Sequence, residues 1–231
     1  VRTPYSTTTA PARFLLLGDS HAGPIGKAAQ AARIPFRGGP IGAAREFTDD
    51  FFTARADDVV FSDAETEQYY RKFLDELGIA TIAELTVPLV VTFGFAAHFV
   101  ATWENWELYR VRGNGFEDGF LESSLFEAIV TTVVRDALAF YGHVRGLGLR
   151  VLAVMPPQRV PGQSDPEVFL AAQDCVRRAL LGLDIEVVDL RERITDASGF
   201  QRPDLCEADD EIHGNLAWGR IVLADLLDRG L

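Results

Sequence analysis

Apolar and polar positions along the chain fall into short apolar runs separated by longer stretches of helical spacing. Arg13–Leu17 is nearly all apolar, which predicts a strand covered on both faces. The alanine-rich stretch Gly23–Arg33 predicts the helix that follows it. Asp57–Phe61 predicts a short strand, and Ala64–Leu77 a charged amphipathic helix stopped by Gly78 as its C-cap. Val87–Phe93, "VPLVVTF", predicts the next buried strand, ending at Gly94. Leu125, Ile129, Val133 and Leu138 recur at helical spacing, so one helix is expected over Glu122–Arg145. Arg150–Met155 reads as a further strand, broken by Pro156 and Pro157. Pro166–Leu181 reads as a helix, Ile185–Leu190 as the last strand and Asn215–Leu227 as the closing helix.

Strand and helix in alternation are the order of a parallel sheet with helices on both faces, an α/β fold. Two stretches stand apart from that rhythm. "IPFRGGPIGAAREF" crowds two prolines and three glycines together and is expected to be an ordered loop. Residues 98–120, "HFVATWENWELYRVRGNGFEDGF", hold two of the three tryptophans among Glu, Asn and Arg. That mixture suits an active-site wall or, equally, an amphipathic surface helix with a loop.

Composition narrows the class. The chain has 231 residues, 48% of them apolar and 24% charged, enough to bury a full core. Residues 1–12 read as a polar N-terminal segment and 13–231 as one domain. No run approaches the ~18 apolar residues that crossing a bilayer takes. The polar N-terminus lacks the apolar stretch of a secretory signal, so the cytoplasm is the expected location, although a removed leader would leave no trace. The two cysteines, Cys175 and Cys206, have no metal-ligand spacing, and neither a disulfide nor a metal site is expected. A net charge of −12 repels phosphate backbones and anionic lipid, so neither nucleic acid nor membrane is an expected partner.

The first predicted strand ends in Gly-Asp-Ser-His. Ligands bind at the carboxyl ends of strands in open α/β sheets, and a serine on such a turn lies near helix N–H groups that favour developing negative charge. Ser20 is thus a candidate nucleophile, although Asp19 or Ser20 serving only as a helix cap is the commoner fate. A serine nucleophile needs a base and a group to orient that base. Of four histidines, His21 adjoins Ser20 and should diverge from it, while His143 sits in a helical pattern. His98 follows the strand ending at Gly94. His213, in "DDEIHGNLAWG", precedes the closing helix, and Asp210 three residues earlier is placed to accept its Nδ1 proton.

"LLLGDSH" near the start and "DEIHGN" near the end resemble the first and last sequence blocks of the SGNH/GDSL hydrolases. The resemblance spans nearly the whole chain. It implies a flavodoxin-like three-layer α/β/α sandwich with a central five-stranded parallel sheet. It also implies a catalytic triad of Ser20, Asp210 and His213, with an oxyanion hole made by the Ser20 N–H and that of a second-block glycine. Gly42 is the first candidate for that glycine and Gly39 the second, unless either serves turn geometry alone. The family's third block reads Gly-x-Asn, its asparagine donating to the oxyanion. Here "TFGFAAHF" keeps Gly94 but has Ala96 where the asparagine belongs. Loss of one oxyanion donor costs a factor of roughly 100–1000 in rate. His98, or Asn105 or Asn114, is expected to supply the missing donor, unless two backbone N–H groups suffice.

The expected chemistry is serine-dependent acyl-ester hydrolysis, an esterase or deacetylase reaction that needs no metal and no organic cofactor. "LLLGDSHA" is also similar to SGNH domains linked to bacterial polysaccharide O-acylation, which implies a carbohydrate or glycoconjugate ester as substrate. Trp103 and Trp106 would suit stacking on sugar faces, and Arg159, after Pro156-Pro157, would suit a polar or anionic substrate. Asp19 and Gly94 complete the expected substrate site. Two alternatives stay open: O-acyl transfer with the same triad, and a degenerate SGNH-fold protein that binds a glycan or partner without turnover.

Overall fold

The computed structural model describes residues 11–95, 97–111 and 115–231. In chain order its regular elements are β1 (Leu15–Gly18), α1 (Ala22–Ala31), β2 (Arg37–Pro40), β3 (Phe52–Ala54), β4 (Val59–Phe61), α2 (Ala64–Leu77) and β5 (Leu89–Val91). There follow α3 (Ala97–Val100), α4 (Trp103–Trp106), α5 (Ser124–Val133), α6 (Arg135–Gly146), β6 (Val151–Val154) and α7 (Pro166–Gly182). β7 (Glu186–Val188), α8 (Arg191–Ile194) and α9 (Leu216–Asp228) complete the described elements.

Five strands form one parallel sheet in the order β2-β1-β5-β6-β7. Successive side chains of a strand point to opposite faces, and the core divides accordingly. Leu15, Leu17, Leu89, Val91, Val151 and Ala153 join one apolar cluster, which includes buried residues of α2, α5, α6 and α7. Leu16, Val90, Leu152 and Val154 join the other, with residues of α1 and α9. The result is a three-layer α/β/α sandwich. Each fully buried leucine contributes roughly 1.5–3 kcal/mol relative to leaving it in water. α1 and α9 approach closely because Gly219 has no side chain: a Cβ there would sit 2.3 Å from the Pro24 carbonyl oxygen.

The sheet departs from the sequence reading at one edge. β2, Arg-Gly-Gly-Pro, lies inside the stretch read as a loop. It has no apolar alternation because the strand is made by close backbone approach to β1. Gly38 holds φ +103°, and a Cβ there would fall 1.9 Å from the Leu16 carbonyl oxygen. The strand expected at Asp57–Phe61 is β4, which pairs antiparallel with β3 in a separate two-stranded sheet. The helix expected over Glu122–Arg145 is two, α5 and α6, divided at Val134. Thr131 and Thr132 donate their hydroxyls to the Glu127 and Ala128 carbonyls just before the break, a bonding habit that bends helices.

The order places a topological switch point between β1 and β5, since the chain winds outward to β2 and then crosses to the other side of β1. Open α/β sheets open a crevice at the carboxyl ends of the strands at such a point. Gly18, Asp19 and Ser20 leave β1 there, and Thr92, Phe93 and Gly94 leave β5.

Candidate active site

β1 ends at Gly18, where only a glycine fits against β5's exit: a Cβ on it would lie 2.1 Å from Thr92 Oγ1. The Thr92 hydroxyl instead donates to Asp19 Oδ1 at 2.9 Å, and the same oxygen accepts the His21 N–H at 3.0 Å. Asp19, 4% exposed, thereby sets the tight turn that carries Ser20 to the surface. The cap question has a clear answer in this geometry. α1 begins at Ala22 with His21 at its N-cap position and no side-chain capping bond. The Ser20 hydroxyl is directed elsewhere.

It meets His213. Ser20 Oγ lies 2.7 Å from His213 Nε2, and His213 Nδ1 lies 2.7 Å from Asp210 Oδ2. An ionised carboxylate can only accept, so Nδ1 carries the proton and Nε2 accepts from the serine hydroxyl. Asp210 is itself fixed by its other oxygen, which accepts the Ile212 and His213 N–H groups at 2.7 and 2.6 Å. Burial works to raise the Asp210 pKa, but the bonds from the His213 ring, the His213 N–H and the Ile212 N–H outweigh it and hold the carboxyl at about 2. The residues after it anchor the loop. A Cβ on Gly214 would fall 2.7 Å from the Trp218 ring, and Asn215 caps α9 through Ala217 N and Trp218 N. The Asn215 amide also donates to the Asp204 and Cys206 carbonyls.

A narrow recess of about 10 Å³, room for roughly one water molecule, lies beside this chain of bonds. Asp19, His21, Thr92, Phe95, His98 and Arg159 are among its walls. His21 is 5% exposed, its ring centroid 5.3 Å from that of His213 and its Nδ1 without a hydrogen-bond partner among the described residues. Burial lowers the His21 pKa, Asp19 opposes that and the nearby His213 adds to it. Burial likewise pushes His98 down to about 4, with His21 and His213 contributing, so its imidazole is neutral at pH 7.

Other residues named from the sequence take different places. Gly42 lies just past β2, next to Ile41, whose N–H donates to the Gly18 carbonyl at 2.8 Å. Gly39 lies within β2, in register with Leu17. Gly94 is buried with φ +96°, and a Cβ on it would press against Ala137 at 2.9 Å and Tyr141 at 3.3 Å, so it fits the β5 exit against α6. Asn105 spends its amide on the Phe99 carbonyl. Ala96 and Asn114 lie outside the described residues. His143 is half-buried, its Nε2 2.9 Å from the Asp58 carbonyl oxygen.

Two residues named for substrate contact are placed otherwise than expected. Trp106 is 1% exposed, surrounded by Tyr109, Phe120 and Phe126, with its indole N–H donated to the Val100 carbonyl. It is a core side chain and offers no face to a sugar, whereas Trp103 is 42% exposed with the Arg110 guanidinium over its ring. Arg159 lines the recess and donates to the backbone carbonyls of Glu207, Asp210 and His213. Nothing in the pattern of apolar positions signals either outcome. As for metals, one group of carboxylates among the described residues is close enough to share an ion, Asp49, Asp50 and Asp136. Arg135 already pairs with two of its members.

No protein-family model matches the chain, and no curated protein sequence matches it. Solved structures match over nearly its whole length. A Parabacteroides merdae protein assigned as a GDSL-like lipase is 11% identical with a TM-score of 0.50, covering 97% of this chain and 98% of its own. A Slackia heliotrinireducens protein assigned as an SGNH hydrolase is 12% identical with a TM-score of 0.49, covering 95% and 98%. The lipase/acylhydrolase from Enterococcus faecalis is 11% identical with a TM-score of 0.49, covering 94% of each chain. The chain shares its α/β fold, a five-stranded parallel sheet between helical layers, with the GDSL-like lipase structure matched at a TM-score of 0.50.

Proposed function

We propose that the protein is a serine acyl-ester hydrolase of the SGNH type, with Ser20 as nucleophile, His213 as base and Asp210 as its orienting carboxylate. The observation that carries this reading is the unbroken chain of two 2.7 Å contacts from Asp210 through His213 to Ser20. The fold it shares with a GDSL-like lipase agrees. In this scheme His213 Nε2 takes the Ser20 proton as Oγ attacks the ester carbonyl, and Asp210 stabilises the imidazolium that forms. The N–H groups of Ser20 and Gly42 hold the oxyanion, and neutral His98 supplies the third donor from the recess. His213 returns its proton to the leaving alcohol, then activates the water that frees the acyl group. Transfer to a sugar hydroxyl would use the same residues.

The acyl group proposed is a short one, acetyl first, in keeping with the deacetylase reading of the sequence. A carbohydrate or glycoconjugate as the alcohol part follows from the sequence resemblance; Trp103 is exposed, with the Arg110 guanidinium already over its ring. The test is hydrolysis of p-nitrophenyl acetate, butyrate and octanoate by wild type and Ser20→Ala. Turnover should fall as the acyl chain lengthens and vanish in the variant. Wild-type rates in Ser20→Ala would contradict the proposed nucleophile.

A further inference from the structure

The loop that carries Asp210 and His213 has little regular structure to hold it. Residues 206–214 are closed by one isolated bridge, Cys206 to Gly214, and by the Glu207 N–H donating to the His213 carbonyl. Asp209 inside it sits in the left-handed region at φ +56°. Three carbonyls of this loop turn toward one point, and the Arg159 guanidinium occupies it. Its Nη1 donates to the His213 carbonyl at 2.8 Å and the Glu207 carbonyl at 3.1 Å, and its Nη2 donates to the Asp210 carbonyl. Nη1 also lies 3.8 Å from the Asp210 carboxylate.

Arg159 is held in turn from a second side. Gln158, fully buried, donates its backbone N–H to the Gln201 side-chain oxygen, accepts the Gln201 N–H on its carbonyl and donates its side-chain amide to the Pro156 carbonyl. The Gln201 amide reaches the Leu205 carbonyl, just before the loop starts. The arginine therefore projects from a segment that is stitched down, and it grips the backbone carbonyls of the two residues that carry the imidazole and the carboxylate.

The geometry points to Arg159 as a positioning residue: its planar fork clamps the Asp210–His213 loop so that the imidazole stays within proton-transfer reach of Ser20. This rests on the function proposed above, and it replaces the substrate-binding role that the sequence suggested. A fork can bridge several acceptors at fixed angles; an ammonium on a flexible stem cannot. A displacement of about 1 Å in a catalytic group costs roughly 100-fold in rate.

The experiment measures kcat and KM for p-nitrophenyl acetate in wild type, Ser20→Ala, Arg159→Lys and Arg159→Ala. The clamp predicts kcat lower by roughly 100-fold in Arg159→Ala with KM near wild type, and an intermediate kcat in Arg159→Lys. Millimolar guanidinium chloride should restore part of the Arg159→Ala rate, while sodium chloride at equal ionic strength should not. A raised KM with kcat retained would overturn the clamp and return Arg159 to the substrate. Failure of guanidinium to restore kcat, or wild-type kcat in Arg159→Lys, would overturn it as well. If Arg159→Ala does not fold, Arg159→Lys decides by the same kcat and KM reading. If wild type shows no turnover that Ser20→Ala removes, the proposed function falls too; if it does and the Arg159 variants match wild type, only the clamp falls.

Discussion

Asp210 does two jobs with two oxygens. One accepts backbone N–H groups and shapes its own turn, and the other faces the imidazole, which keeps the carboxyl ionised down to about pH 2. The spacing Asp-x-x-His makes that possible within a single turn, which is why this pair was legible in the sequence. Arg159 and Trp106 were not, because the direction of a long side chain is decided by tertiary neighbours. The two recess histidines, His21 and His98, give a residue-scale prediction. His98 has a folded pKa near 4 against 6.5 when free, and that of His21 is lowered as well. Between those pH values the unfolded chain binds protons that the folded chain refuses, so stability is full above about pH 6.5 and is lost as pH falls toward 4. The corresponding loss from Asp210 comes lower, between the ordinary carboxylate value of 3.8 and about 2. Thermal denaturation at pH 7, 5.5 and 4.5 should show Tm dropping over this range, and dropping less in His98→Gln. An equal drop in the variant would remove His98 as a source.

At the scale of elements, the strands that could be read were those buried on both faces, such as Leu15–Gly18 and Leu89–Val91. β2 escaped the reading because its signal is the absence of side chains rather than their pattern. Its Gly38 combines positive φ with contact against the Leu16 backbone, so Gly38→Ala brings both strain and overlap. The expected cost is roughly 2–4 kcal/mol, read as a lower urea midpoint. An unchanged midpoint would mean that β2 does not pair with β1 as described. The consequence reaches the site, because the chain leaves β2 directly into Ile41 and Gly42 beside the Ser20 turn.

For the whole molecule, sheet order is what brings distant residues together. Ser20 leaves β1 and His213 comes 193 positions later, ahead of α9, which packs on the same face of the sheet as α1. The fold class could be anticipated from strand and helix alternation, and the two end motifs hold the residues that the fold brings into contact. The supports between them, Gln158, Gln201 and Arg159, carry no motif and emerge only when the loops are seen side by side. Among the described residues no helix is long and apolar enough to cross a membrane. The central claim is that Ser20 is activated by His213 for attack. Its most direct measurement is labelling with a fluorophosphonate probe, followed by mass spectrometry of the peptide that carries the adduct. The account predicts one adduct on Ser20 in wild type, and almost none in His213→Ala or Ser20→Ala. An unlabelled wild type, under conditions where a control serine esterase reacts, would contradict it.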